Sequence, residues 1–439
     1  MQHSYDALDR PGGLGRGNLL TPLRHRDFRV LWLGMAVSLV GDGIFLVAIA
    51  WESYALWNAP VALSIVGIGM TVPTVAFLLV GGVVSDRSDR RRVMAWADGV
   101  RALAVGALAV LVFTGELRFW QLVVLVAVYG VGTAFFTPAF EAIVPQLLPS
   151  GDLPQANSLD QFVRPIAMRL AGPVVGGGLV AVGAGIAFAV DAVSFAASLA
   201  AVLTLRLAPA GDSRTTESAL AAMTDGLRFV RRRVWLWGTL ASAAIAYLLF
   251  LGPTEVLLPY LVKNDLHASA RTLGIVLAAG GVGAVGAAAW MGRRGHPRRD
   301  VTFMYMTWTL ATLAIAGYGI ATAAWQLMGA CFVFNALEAA GTIVWATIKQ
   351  RHVPGSLLGR VSSLDWLISI GLLPLSFALT APVAGAIGAR ATLAGAALIG
   401  AVVTLGAYFL PGMRAIESDA KTDIGEPARA GNDPVASTR

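Results

Sequence analysis

Twelve apolar runs divide this chain, and each is long enough to cross a bilayer. They fall near 28–53, 61–85, 93–114, 119–147, 158–182, 185–206, 234–262, 271–291, 301–322, 325–348, 361–387 and 391–411. A helix rises about 1.5 Å per residue, so about 20 apolar residues span the hydrocarbon core. Without water there, every backbone N–H and C=O must be paired within its own segment, and runs of this length do so as helices. The expected fold class is an all-α membrane protein of twelve transmembrane helices in two six-helix bundles. Composition points the same way: only 13% of residues are charged, about half the usual share of a soluble domain.

The polar stretches between the runs set the expected divisions. These are a cytoplasmic N-terminal segment over 1–27, a first bundle over 28–206 and a cytoplasmic amphipathic linker over 207–233. A second bundle over 234–412 and a disordered cytoplasmic tail over 413–439 follow. In the linker Leu220, Met223, Leu227 and Val230 recur at helical spacing beside Arg231, Arg232 and Arg233, the pattern of a helix lying on a membrane surface. The run after residue 27 is too long for a signal-peptide core, so it is expected to stay as an anchor. Basic residues crowd alternate loops: the N-terminal segment, 87–92, 228–233, 293–299 and 349–360 carry most of them. The opposite loops hold only Arg118, Lys263, Arg271 and Arg390. Cytoplasmic loops are the ones enriched in Lys and Arg, so both termini are expected in the cytoplasm of a bacterial cell with the chain in its inner membrane.

Several function classes lose their footing. The net charge of +7 comes from short arginine clusters flanking spans, so no nucleic-acid partner is expected. Cys331 is the single cysteine, which excludes an internal disulfide or a cysteine-rich metal site. The five histidines, His3, His25, His267, His296 and His352, fall in loops or tails and never cluster, so neither a metal nor an enzymatic centre has a ligand set. No Gly-x-x-x-x-Gly-Lys-Ser/Thr loop is present to cradle ATP phosphates. No cofactor is expected.

The halves repeat. Pro149 to Asp160 reads PSGDLPQANSLD and Pro354 to Asp365 reads PGSLLGRVSSLD, as far apart as Arg29 and Val234, where the two groups of six begin. Parallel six-span repeats suit a carrier that rocks one bundle against the other around a central site.

Between the second and third runs lies Gly81-Gly82-Val83-Val84-Ser85-Asp86-Arg87-Ser88-Asp89-Arg90-Arg91-Arg92. The spacing of Gly82, Asp86, Arg87, Arg90 and Arg91 resembles the signature loop of the major facilitator superfamily, with Asp89 where that family usually has glycine. In the fifth run, Gly172-Pro173-Val174-Val175-Gly176-Gly177 resembles the Gly-Pro-x-x-Gly-Gly segment of its drug:proton antiporters. Further segments resemble the macrolide-efflux and enterobactin-exporter branch: Phe28 to Trp32, Gly41-Asp42-Gly43, Thr137-Pro138-Ala139, Ala156 to Leu159, and Asp191 to Phe195. The resemblance implies a major facilitator fold, a gate at the signature loop and export as the activity.

Ionisable residues at membrane depth cost about 2.5–3.5 kcal/mol each on insertion scales, so each needs a partner or a task. Asp42 in span one and Glu338 in span ten, with Asn335 a turn before it, are the candidate proton or cation-substrate sites; structural hydrogen bonding is the alternative. Arg169 in span five is expected to balance one of these acids, and Glu255 in span seven is a weaker candidate. Glu141 is expected to latch onto Arg87 of the signature loop. Tyr129, Phe136 and Asn335 are expected at the substrate cavity, where aromatic faces stack on greasy molecules. Asp98 and Arg101, one turn apart, are expected to pair locally, and Asp191 is read as structural.

The chain is thus expected to be a monomeric exporter exchanging inward protons for a bulky amphipathic molecule such as a macrolide. Export of a native siderophore, other secondary metabolite or lipid is the alternative on the same fold, and a membrane-embedded enzyme is remote.

Overall fold

The computed structural model describes residues 20–206, 226–294 and 297–417. Expectations for most of the N-terminal segment, for the linker up to residue 225 and for nearly all of the tail lie outside these residues. Among the described residues, twelve helices are long and apolar enough to cross a membrane. They are Arg26–Leu56, Pro60–Leu78, Arg90–Thr114, Phe119–Leu147, Gln155–Val182, Ala184–Leu203, Val234–Asp265, Ala270–Arg294, Asp300–Ile320, Ala324–His352, Arg360–Ile387 and Ala389–Tyr408. We refer to them as spans one to twelve. The helix containing span two continues to Arg87.

Close contacts divide the chain into two compact units. The first comprises Met1–Trp57, Gly69–Ser213 and Leu273–Ala278; the second comprises Asn58–Ile68, Arg214–Thr272 and Ala279–Arg439. In the first unit span one packs on spans five and six, and span three packs on spans four and six. Leu31, Met35, Leu39, Met94, Phe140 and Val202 fill the space between them. In the second unit span nine packs on spans ten and twelve, and span seven on spans eleven and twelve. Its core is aromatic: Trp235, Tyr305 and Trp345 are buried with Leu236, Val344 and Ile348.

Proline shapes the spans that are not straight. Span five runs as α-helix to Pro165, widens to a π-helix over Ile166–Ala171, and resumes at Gly172 with Pro173 in the first turn. Pro173 has no N–H to give the preceding turn, and the helix is widened in the turn just before that gap. Span seven carries Pro253 and Pro259 and also ends in a π-helix, Leu261–Asp265. Span eleven is divided between Gly371 and Leu373, with a proline in the turn that restarts it.

Asp89, which departs from the signature pattern, caps span three. Its side chain accepts a 3.0 Å hydrogen bond from the Arg91 backbone N–H, satisfying one of the four open donors at a helix start. The far end of span three stops at Gly115, which is left-handed at φ 70°.

Candidate functional site

The first unit encloses a polar cluster drawn from four spans. Asp42 of span one accepts a 2.6 Å hydrogen bond from the Tyr129 hydroxyl of span four. Tyr129 is itself buried; its ring stacks on Phe45 at a centroid distance of 4.6 Å and meets Phe195 of span six edge-on at 5.9 Å. Beside it, Asp98 and Arg101 of span three form an ion pair sealed from solvent. The guanidinium lies between two rings, 4.3 Å from the Phe136 centroid and 4.4 Å from that of Phe195. A cation held between aromatic faces gains from both ring quadrupoles, an effect that grows where water is absent. Arg101 is the first cation acting on Asp42, with Arg164 of span five second. Arg101 thus acts on Asp42 from span three, a cation that helical spacing alone pairs with Asp98.

Asp191 of span six completes the cluster. Its side chain is fully buried, and the Ser194 hydroxyl donates to the Asp191 backbone carbonyl at 2.8 Å and lies 3.2 Å from Asp191 Oδ1. A Cβ built on Gly41 would overlap Asp191 Oδ1 and Ser194 Oγ. Glycine at 41 is what lets this carboxyl reach the backbone of span one, one residue from Asp42.

The Gly-Pro-x-x-Gly-Gly segment is packed on the same stretch of span one. A Cβ on Gly172 would sit 2.6 Å from the Gly43 Cα and 2.8 Å from the Val40 carbonyl, and one on Gly176 would sit 2.9 Å from the Ile44 Cα. Pro173 and Gly177 are buried with them. Small residues let the two backbones meet, as in close-packed membrane helices. Arg169 precedes this contact in the π-helix and its side chain is exposed.

Tyr129 and Phe136 are buried in the unit's core, at 8% and 9% exposure. There Tyr129 serves Asp42 as hydrogen-bond donor and Phe136 gives Arg101 a ring face.

The signature loop also differs from expectation in detail. Gly82 faces open space, whereas a Cβ on Gly81 would overlap the Ala134 carbonyl of span four; the close approach sits one residue earlier than the pattern suggests. Arg87 and Glu141 are both exposed, and no ion pair joins them among the described residues. Glu141 instead feels Arg164 and Asp160 of span five, which pair with each other at 3.3 Å. The loop holds neighbouring helices through backbone carbonyls: Arg90 donates to Ala142 O at 2.8 Å. Arg91 donates to Val202 O at 3.1 Å and also to Leu203 O. Val202 and Leu203 lie in the last turn of span six, where carbonyls run short of partners in their own helix, so Arg91 adds a donor there. The Asp86 side chain lies outside the described residues.

In the second unit, Glu338 is half-buried and accepts a 3.0 Å hydrogen bond from the Thr342 hydroxyl. Asn335 donates to the Cys331 carbonyl at 2.9 Å and packs at Gly280 of span eight. Glu255 is exposed. Nearer the end of span ten, Asp365 accepts from Lys349 and, at 3.0 Å, from the Trp345 indole.

Sequence reasoning treated Asp98, Arg101 and Asp191 as structural and separate. A usable signal was present: several charged side chains in the apolar runs of one half cannot all be paid for locally, which points to pairing across helices.

A profile of a family described as transmembrane secretion effectors matches residues 18–432. The multidrug efflux pump Tap of Mycolicibacterium fortuitum is 30% identical over 400 residues, covering 87% of this chain and 95% of that protein. Macrolide efflux protein A of Streptococcus pyogenes is 24% identical, covering 82% and 90%. The enterobactin exporter EntS of Citrobacter koseri is 26% identical, covering 79% and 82%. Among solved structures, the nucleoside transporter NupG (D323A mutant) aligns with a TM-score of 0.65 at 12% identity, over 86% of this chain and all of that one; at that identity it speaks to fold alone.

Proposed function

This chain belongs to the transmembrane secretion effector family of the major facilitator superfamily, and from that premise we propose that it is a proton-driven exporter of a bulky amphipathic compound, such as a macrolide. It is a multi-pass membrane protein of the efflux type. What the proposal adds is the drive, the cargo and the setting: a monomer in the bacterial inner membrane, both termini cytoplasmic, working by alternating access.

One observation carries the proposal. Asp42 lies midway along span one, bonded to Tyr129 and next to the buried Asp98–Arg101 pair. A carboxyl at that depth is costly as a passive feature, and a neighbouring fixed cation allows it to alternate between charged and neutral forms. Loading a proton on one side and losing it on the other changes the cluster's charge by one, enough to bias a conformational equilibrium between two bundle arrangements. Glu338 supplies a second acid in the other unit. The absence of a phosphate-binding loop in the sequence is consistent with an ion gradient as the energy source.

A siderophore or other endogenous metabolite is the second reading, favoured by the similarity to EntS. The exposed Arg169 offers an anionic cargo a direct contact, whereas a cationic cargo favours Asp42 and Glu338. Accumulation assays separate the cases. Cells overproducing the protein should retain less erythromycin than control cells, and a protonophore should abolish the difference. Equal retention with and without the protein would contradict export of this class.

A further inference from the structure

Among the described residues Asp42, Asp98 and Asp191 face one buried cation of the first unit, Arg101, with Arg164 acting on Asp42 from farther along span five. Arg101 is committed to Asp98 by their ion pair and held between the Phe136 and Phe195 rings. That leaves two carboxyls with one hydroxyl each: Tyr129 donates to Asp42, and Ser194 reaches Asp191. Asp191 is fully buried, yet its Oδ2 has no hydrogen-bond partner among the described residues. The Gly41 contact places its other oxygen against span one at the residue next to Asp42. Both acids also act on the Tyr129 hydroxyl between them.

We propose that Asp191 is a second proton-carrying carboxyl, paired with Asp42 across the contact of spans one and six, so that the two share one proton during part of the transport cycle. Two carboxylates whose helices meet at Gly41, next to Asp42, are hard to keep both charged in an apolar core without a cation of their own, and Arg101 is already engaged with Asp98. The step is a plain proton transfer. An O–H bond forms on one carboxylate as a proton arrives from water, and the same bond breaks when the proton leaves to the opposite side. Tyr129 is the positioning residue, since its hydroxyl fixes which Asp42 oxygen is free. The groups facing Asp191 are Asp42 from span one, Arg101 from span three and Tyr129 from span four. Because their fields overlap, the acids titrate as a coupled unit.

This inference rests on proton coupling, the reading given above, and the experiment keeps the two apart. Full-length protein in lipid is titrated while the infrared absorbance of protonated carboxyl groups is followed. The pair predicts loss of this band in two separate steps. Asp191→Asn should remove one step and shift the other, whereas Asp191→Glu should keep both. Tyr129→Phe, which leaves both acids in place, should shift both steps if they are coupled, and it serves where Asp191→Asn does not fold. A wild-type titration unchanged by Asp191→Asn, or a Tyr129→Phe shift confined to one step, would overturn the pair. Proteoliposomes loaded with ethidium supply the other arm. Ethidium movement indifferent to a pH gradient would overturn proton coupling, and with it the carrier role, while leaving the coupled titration standing.

Discussion

Asp98 and Arg101 stand one turn apart on span three, with side chains 0% and 4% exposed. The pair is not symmetric in its surroundings, because the field of Arg101 also reaches Asp42, whereas among the described residues no second cation acts on Asp98. Removing one member of a buried pair typically costs about 3–5 kcal/mol. Arg101→Leu should incur that cost in full, since it strands three carboxyls. Asp98→Leu should cost less, because Arg101 keeps the Phe136 and Phe195 rings and the nearby charge of Asp42. Thermal unfolding of the two variants in the same detergent tests the order; equal losses would mean that Arg101 serves Asp98 alone.

The glycine pair at the end of span two gives a sharper contrast. Gly81 is pressed on the Ala134 backbone and Gly82 opens to free space. Overpacking a tight contact costs about 1–3 kcal/mol, so Gly81→Ala should lower the unfolding temperature and the yield of folded protein. Gly82→Ala should change neither. The reverse order would place the helix contact one residue later.

Arg91 holds the end of span six through the Val202 and Leu203 carbonyls. With Arg91→Ala the Leu203 carbonyl loses this donor and the Val202 carbonyl keeps the Leu205 N–H at 3.2 Å, so the last turn should fray. Hydrogen–deuterium exchange should rise several-fold around 201–206, on the order of a lost hydrogen bond of 0.5–1.5 kcal/mol. Exchange in span four near Ala142, held by Arg90, should stay as in the wild type.

How much of this could be read from residues alone follows from what the bilayer demands. Length and apolarity are strong requirements, and the twelve runs match the observed helices closely. The run read at 361–387, for instance, is the helix Arg360–Ile387. Direction of packing is a weaker signal. Spans such as span one are apolar all round, so nothing in their periodicity says that Tyr129 turns toward Asp42 instead of toward a cavity. Local pairs were legible: Asp98 with Arg101 and Asp160 with Arg164 are set by helical spacing. The joining of Asp42 to Tyr129, and of Asp191 to Gly41, depends on which helices touch, and no short motif encodes that. Glu141 shows the same limit: its charged neighbours come from span five and not from the loop that the motif pointed to.

The central claim is that buried acids carry the coupling ion. It is tested most directly by substrate-dependent proton movement in proteoliposomes, comparing the wild type with Asp42→Asn and Glu338→Gln under an imposed pH gradient and with erythromycin as the probe. The account predicts that wild-type vesicles move protons when erythromycin is added, and that Asp42→Asn abolishes this movement while the protein remains folded. Full proton movement in both variants would contradict it.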